Sequence, residues 1–397
     1  MKHPFPCIAL FSSAFFLLLA CSVDRDVNEW EDQTDTTTAT NGDVVLARYS
    51  FDTDANSKLM FQDDEALEDM VSEWKRYEIA NMLRIKPVDE FTIEVANFAP
   101  VDLDSLVISA TIGEKTMALF AVDKIRAHAY ATIRYPFVGN TPKFNALEGT
   151  EVIDLSHLQD TGIPGSDIRF DFHGDSEMVG VLKGLSGIGW KPRMKHYDQE
   201  GTHPNWSDDL LPVDARRYTA LMINWAYMFT TAEFKEAFLA EPIYENDGET
   251  LFTQERKEEI WAKMVNKGKL NLGITSGNAA GLGGGNTFGL YRQIVERFLV
   301  STKNTASTSG HEFGHIVGFN HSSSMTYPKE VDGEKRGFSK MCTLMMKQFL
   351  EEGRFPITID NYYRRSDYNA DYVNPSGKEI PLTKEREGHG FHCGEVH

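Results

Sequence analysis

Hydrophobic residues in the first half of the chain recur at spacings that predict one helix followed by short strands. Residues 65–84 carry apolar side chains at helical spacing and end before Pro87, which predicts a helix. Partial alternation of apolar and polar residues then predicts strands over 91–95, 106–110, 116–122, 128–137, 152–155 and 168–172. Asn, Asp, Gly and Pro separate these runs, as expected for an antiparallel, β-sandwich-like domain over residues 45–175.

From about residue 176 to 360 the pattern becomes that of an α+β domain. The predicted elements are a long helix over 218–239 ended by Pro242, a second helix over 252–265 ended near Gly268, and a strand over 269–275. The glycine-rich segment 277–289 follows. It lacks the G-x-G-x-x-G spacing and the lysine followed by serine or threonine that phosphate-binding loops require. One interpretation of this segment is therefore a flexible connecting loop.

A third predicted helix lies near the end of this region. Its buried face is predicted from apolar residues at i, i+3, i+4 and i+8, which are Met341, Leu344, Met345 and Phe349. Ser339 and Gly353 are predicted as its caps. Residues 361–397 are predicted to form a C-terminal tail.

Residues 311–321, H-E-F-G-H-I-V-G-F-N-H, carry the clearest chemistry. His311 and His315 are four apart, so on a helix both imidazoles lie on one face and can bind one ion. Glu312 can hold a water beside the ion without occupying a coordination position. On a continuous helix His321 would lie about 9 Å beyond His315, but Gly318 tolerates the left-handed conformation that ends a helix and reverses the chain. Three neutral nitrogen ligands plus water form the open arrangement of a catalytic zinc site.

This spacing, His-Glu-x-x-His-x-x-Gly-x-x-His, resembles the signature of the metzincin zinc endopeptidases over about thirty residues, 309–339. The resemblance implies one Zn²⁺ ion on the three histidines, Glu312 as general base, and hydrolysis of peptide bonds in protein or peptide substrates. It also implies a catalytic domain with a twisted mixed sheet and an active-site helix. In metzincins a strand before this helix lines the cleft and pairs with extended substrate, and the resemblance implies that segment 277–289 is an upper rim of the cleft, where glycines let a peptide backbone approach closely.

Metzincins also carry a methionine turn below the metal, and in some members a tyrosine two residues later reaches the metal. The S-x-M-x-Y pattern at 323–327 matches, so Met325 is predicted as the turn residue and Tyr327 as a fifth ligand or transition-state donor. An ordinary turn tyrosine is the alternative. Met325 follows His321 by four residues, a shorter connection than the clan implies, although four residues span up to about 14 Å. A gluzincin-like site would instead take a carboxylate as third ligand, and Glu334 is the candidate.

The start of the metal-binding helix has two interpretations. Ser309-Gly310-His311-Glu312 fits a capping box formally. Glu312 cannot both cap the helix and hold the water, so we assign capping to a hydroxyl among Thr305, Ser307, Thr308 and Ser309.

The first twenty residues predict an export signal, because Lys2 precedes an apolar segment too short to span a membrane as a stable helix. Leu18-Leu19-Ala20-Cys21 resembles the bacterial lipobox, which implies cleavage before Cys21 and a lipoprotein anchored to the outer membrane by acyl chains such as palmitate. Acidic residues soon after Cys21 also resemble the surface-export signal of Bacteroidetes lipoproteins. The alternative is a soluble secreted protein with a fortuitous cysteine.

Charge and composition narrow the partners. The net charge of −19 at pH 7 repels phosphate backbones, which argues against a nucleic-acid partner. Residues 21–44, acidic and threonine-rich, predict a solvated tether. Outside the cytoplasm a Cys342–Cys393 disulfide is conceivable, and free thiols remain the alternative. A non-catalytic surface lipoprotein whose β-domain binds glycan or protein is the competing function.

Overall fold

A computed structural model describes residues 44–137, 142–299 and 305–362 of the chain. These residues form a mixed fold of several sheets and helices, which confirms the α+β class predicted from the sequence. The predicted signal peptide, the lipidation site Cys21, nearly all of the tether and the tail from residue 363 lie outside the described residues. The strands are β1 (Ala47–Phe51), β2 (Lys58–Leu59), β3 (Leu83–Pro87), β4 (Thr92–Asn97), β5 (Leu103–Ile112), β6 (Lys115–Ile125), β7 (Ala129–Arg134), β8 (Lys143–Asn145), β9 (Val152–Asp154), β10 (Ile168–His173), β11 (Lys191–Met194), β12 (Lys269–Thr275), β13 (Gly281–Gly284), β14 (Thr287–Tyr291), β15 (Lys329–Val331) and β16 (Glu334–Arg336).

The helices are concentrated in the second half of the chain. They are α1 (Leu67–Met70), α2 (Glu177–Gly184), α3 (Pro212–Thr230), α4 (Ala232–Ala240), α5 (Gln254–Val265), α6 (Arg292–Arg297), α7 (Thr305–Ile316) and α8 (Phe338–Glu351), with 3₁₀ turns at Glu73–Lys75, Ser156–Leu158 and Leu185–Gly187. Within the described ranges, none of these helices is long and apolar enough to span a membrane.

The N-terminal region contains two four-stranded sheets, in the orders β1-β6-β5-β10 and β2-β7-β4-β3. The second sheet is antiparallel throughout, and the first is antiparallel except where β1 runs parallel to β6. The six strands predicted here from alternation are confirmed, with small shifts at their ends. Inward residues such as Ile93, Val95 and Ile108 are fully buried. Partial alternation predicted most of these strands because one face packs on the core, whereas β4 and the middle of β6 are buried on both faces.

The helix predicted over residues 65–84 is wrong. This segment forms only α1 and a 3₁₀ turn, and it then becomes extended at Arg76. The backbone N–H groups of Tyr77 and Ile79 donate to Pro192 O and Trp190 O, at 3.1 and 3.0 Å. These bonds cover the outer edge of β11, so pairing with another part of the chain outweighs the helical spacing of the apolar residues.

A third four-stranded sheet, in the C-terminal region, has the order β11-β12-β14-β13 and carries the candidate site at one edge. Strands β11, β12 and β14 are parallel to one another, and β13 is antiparallel to β14. The predicted strand over residues 269–275 is confirmed as β12. The glycine-rich segment is not a plain connecting loop, because β13 lies within it, and α7 packs on β13 and β14.

The long helix predicted over residues 218–239 is two helices, α3 and α4, that meet at Thr231. Thr231 is extended, with φ −85° and ψ 138°, and its side chain accepts a hydrogen bond from Phe234 N at 3.3 Å. A threonine whose oxygen caps a new helix start stabilises the break. Pro212 begins α3 six residues before the predicted start, at a position where proline is well tolerated.

The buried face predicted for the last helix is partly wrong. Helix α8 buries Met341, Met345 and Phe349, but the side chain of Leu344 is 55% exposed. At 100° per residue, the buried stripe is centred near Cys342 and Met345, and position 344 lies well to the side of it. The predicted cap Ser339 lies inside the helix, which begins after Gly337, whereas Gly353 does follow the helix end with a φ of +64°.

Candidate metal centre

Helix α7 carries His311 and His315, and it is anchored in the core of the fold. Between them in sequence, Phe313 is fully buried, with its ring centroid 5.1 Å from that of Trp190 and 5.6 Å from that of Phe229. Burial of such a ring contributes roughly 1.5–3 kcal/mol. The helix begins at Thr305, so Ser309 lies inside it and is buried. Of the hydroxyls predicted to cap the helix, Ser309 is therefore excluded, and the residues immediately before Thr305 lie outside the described residues.

The chain reverses at Gly318, as the sequence predicts. Helix α7 ends at Ile316, and Gly318 has a φ of +102°, in the left-handed region that favours glycine. The N–H of Gly318 donates to His315 O and that of Phe319 to Gly314 O, both at 3.0 Å. This closes the helix end and turns the chain back toward the two histidines.

The reversal brings the third predicted ligand to the other two. One ligand atom from each of His311, His315 and His321 lies within 4.8 Å of the others, which makes the three a candidate metal site. Their ring centroids are 4.7, 5.3 and 4.8 Å apart. Among the described residues, no other group of three or more His, Cys, Asp or Glu side chains has such a geometry.

The hydrogen bonds of the first two histidines leave their Nε2 atoms free to bind a metal. His311 Nδ1 lies 3.1 Å from Thr326 O, and His315 Nδ1 lies 2.7 Å from Phe319 O. A carbonyl oxygen only accepts, so both Nδ1 atoms donate and both Nε2 atoms carry lone pairs. The two Nε2 atoms are 3.1 Å apart. Two nitrogen ligands on a tetrahedral zinc ion lie about 3.3–3.4 Å apart, so a cation between them relieves the repulsion of the lone pairs with little movement.

Burial keeps these imidazoles neutral. It lowers the pKa of His311 to about 4, with the nearby His315 as a further cause. Burial also lowers the pKa of His315, and the hydrogen bond to Phe319 opposes that effect. Because a metal binds the neutral imidazole, few protons compete with it at these two residues near pH 7.

The predicted methionine turn lies directly beneath the helix. Met325 is fully buried, and its N–H donates to Ser323 Oγ at 3.1 Å. A Cβ at Gly314 would lie 2.7 Å from Met325 O, so the turn packs against the bare backbone of α7. The next residue in this turn, Thr326, accepts the hydrogen bond from His311. The turn thus orients one ligand from behind, as supporting groups at metal sites commonly do.

Tyr327 lies beside the histidines. Its ring centroid is 4.4 Å from that of His311 and 5.0 Å from that of His321. The short connection from His321 to Met325 therefore allows both the turn and the tyrosine to reach the site. The rival ligand Glu334 is on β16, outside the histidine group, with a 74% exposed side chain that pairs with Arg336 at 3.5 Å.

The side chain of Glu312, on α7, packs against the edge strand β13. This side chain is buried, and burial raises its pKa to about 8, against a hydrogen bond from the Gly283 backbone. A Cβ at Gly281 would lie 2.5 Å from Glu312 Oε1, and one at Gly283 would lie 2.4 Å from Glu312 O. Two glycines on β13 therefore make room for this glutamate. The sequence offered the glycine-rich segment as a signal, but it did not tell which glycines contact the helix.

Cys342, one of the two cysteines of the conceivable disulfide, is a free thiol within the described residues. Cys342 is buried on α8, and burial raises the pKa of its thiol well above the ordinary value. Its conceivable disulfide partner Cys393 lies outside the described residues.

Comparison with known proteins adds no relative: no protein-family model matches the chain, and no curated protein or solved structure is significantly similar to it.

Proposed function

We propose that the protein is a zinc-dependent endopeptidase of the metzincin type. The observation that carries this proposal is the convergence of His311, His315 and His321 next to a buried Glu312. Two hydrogen-bonded imidazoles with facing lone pairs, and a third on a reversed chain, match the donor set that zinc prefers in catalytic sites. On this proposal residues 176–360 form the catalytic domain and residues 45–175 a preceding sandwich-like domain.

A zinc ion on the three histidines would lower the pKa of a water from about 15.7 to near 7 and polarise the substrate carbonyl. Burial alone would keep Glu312 largely protonated near pH 7, and a cation on the three histidines would favour its ionised form. The carboxylate then acts as the general base: it accepts the proton of the attacking water and passes it to the leaving amine. The Gly283 N–H keeps this carboxylate against β13, which fixes the direction in which it can accept a proton. The ring of Tyr327 lies beside His311 and His321, and on this proposal its phenol donates a hydrogen bond to the oxyanion.

The sheet edge next to the site supports a peptide substrate. Within the described residues β13 pairs only with β14, so its other edge is not covered by a strand. An extended peptide can add to such an edge through backbone hydrogen bonds. Because β13 contacts the helix that carries Glu312, a peptide along this edge would bring its backbone to the histidines.

The localisation predicted from the first residues of the chain is also part of the proposal. We propose that Cys21 is lipidated and anchors the protein to the bacterial outer membrane, so that the enzyme acts on extracellular protein. The non-catalytic glycan- or protein-binding lipoprotein is the outcome that the following assay would favour if no hydrolysis occurs.

Casein or gelatin digestion by the purified protein tests the activity directly. We expect proteolysis that 1,10-phenanthroline abolishes and that added Zn²⁺ restores, because the reaction depends on the ion that the three histidines bind. A His315→Ala variant serves as the control for contaminating proteases, since it should be inactive with or without zinc. Digestion that persists in this variant, or that ignores the chelator, would contradict the proposal.

A Gly283→Ala substitution is expected to lower kcat by about tenfold to a hundredfold while zinc content stays at one ion per chain. The added Cβ would meet Glu312 O at 2.4 Å and displace the general base, and a misplacement near 1 Å costs about 10² in rate. Peptide hydrolysis and metal analysis provide the measurements.

Gly277→Ala is the matched control for this substitution. It lies in the same glycine-rich segment, and its Cβ would meet only Tyr291 Oη, at 3.9 Å. Equal rates for the two variants would mean that close approach at Gly283 does not position Glu312.

A further inference from the structure

The third histidine differs from the other two in how its ring is held. His311 and His315 each donate through Nδ1 to a backbone carbonyl, whereas neither ring nitrogen of His321 has a hydrogen bond within the described residues. The centroid of the His321 ring lies 5.3, 4.8 and 5.0 Å from those of His311, His315 and Tyr327. The ring is also exposed to solvent. The placement of this ligand therefore depends on the backbone of its turn.

That backbone is held by Asn246, in the connection between α4 and α5. The Asn246 side chain accepts from Asn320 N at 2.8 Å and donates to Gly318 O at 3.1 Å. In return, Asn320 Nδ2 donates to Asn246 O at 3.3 Å. One side chain thus joins both ends of the three-residue segment that immediately precedes His321. Because this segment is bonded directly to His321, any movement of its backbone would also move the His321 ring.

Neighbouring residues fix the connection itself, so that Asn246 is a rigid anchor. Tyr244 N donates to Ser324 Oγ at 2.8 Å, and Ser323 Oγ donates to Tyr244 O at 2.6 Å. Two residues beyond Asn246, Gly248 O accepts from Lys329 Nζ at 2.5 Å. The connection therefore contacts the chain both before and after His321.

We propose that Asn246 is a positioning residue that orders His321 for metal binding, taking over the role that Thr326 and Phe319 carbonyls perform for the other two ligands. The inference rests on the metal site of the proposed function but not on its peptidase activity. Partners that orient metal ligands typically contribute tenfold to a hundredfold to metal affinity. Because Asn246 is exposed and acts through the backbone, we expect about tenfold, the lower end of that range.

The test is the dissociation constant of Zn²⁺ from the metal-free protein, measured by competition with a chromophoric chelator. Asn246→Ala should raise it about tenfold. Asn246→Asp keeps the acceptor for Asn320 N but loses the donor to Gly318 O, so it should raise the constant less. Asn56→Ala is the matched control, because Asn56 likewise joins two groups of a turn, Thr53 N and Asp52 Oδ1, but in the N-terminal region. It should leave the zinc affinity unchanged.

A double-mutant cycle separates positioning of His321 from a general structural role. In a His321→Ala background, Asn246→Ala should change the residual zinc affinity by less than about twofold, because the residue through which it acts is gone. An unchanged dissociation constant in Asn246→Ala, or the same tenfold loss in both backgrounds, would overturn the inference while leaving the metal site intact. If the unaltered protein bound no zinc, the proposed function and the inference would both be wrong. Thermal unfolding of each variant shows that the folded protein is being measured.

Discussion

Glu312→Gln is expected to bind zinc like the unaltered protein and to lose about 10²–10⁴-fold of kcat for peptide hydrolysis. Glutamine has the same size and can still accept a hydrogen bond from the Gly283 backbone, so the packing against β13 is preserved. It cannot accept the proton of the attacking water at neutral pH. The loss should therefore appear in kcat, with a much smaller effect on KM, because the interaction is made in the transition state.

The measurement combines zinc analysis with the hydrolysis of a quenched-fluorescence peptide. Glu330→Gln, at the exposed position of strand β15, is the matched control and should hydrolyse the peptide at the unaltered rate. If Glu312→Gln retained the full rate, Glu312 would not be the base. If it lost zinc as well as activity, the side chain would have a role in holding the site together.

The sequence predicted elements best where local pattern and tertiary packing agree. Strand β12 and the six N-terminal strands carry apolar residues in alternation or in short runs, according to whether one face or both faces are buried, and this pattern is visible in the residues themselves. The segment around Tyr77 and Ile79 has helical spacing, yet it pairs with β11, which is more than a hundred residues away in sequence. No local pattern contains that partner. Leu344 shows the same limit on a helix, since spacing alone leaves the centre of the buried stripe uncertain.

More of the candidate site than of the fold could be predicted, because the residues that define the site are close together in the sequence. His311, His315 and Gly318 act within two turns of one helix and its end, and fixed spacing determines their geometry. The supporting groups come from elsewhere. Gly283 lies on a neighbouring strand, and Asn246 lies in a connection about seventy residues before the turn it holds. Neither residue type carries distinctive chemistry, so only the three-dimensional contacts identify them.

The identity of the third ligand separates the metzincin interpretation from the gluzincin one, and two substitutions decide it. His321→Ala should weaken zinc binding by more than about a hundredfold, beyond the range for residues that only orient ligands. Glu334→Ala should leave it unchanged, because that side chain is 74% exposed on β16 and lies outside the histidine group. Both residues lie near the protein surface, so removing either side chain leaves no large cavity in the core. A difference in zinc affinity between the variants therefore reports ligation. Zinc lost from Glu334→Ala and kept by His321→Ala would mean that the chain reversal at Gly318 brings His321 to the site for a purpose other than binding the ion.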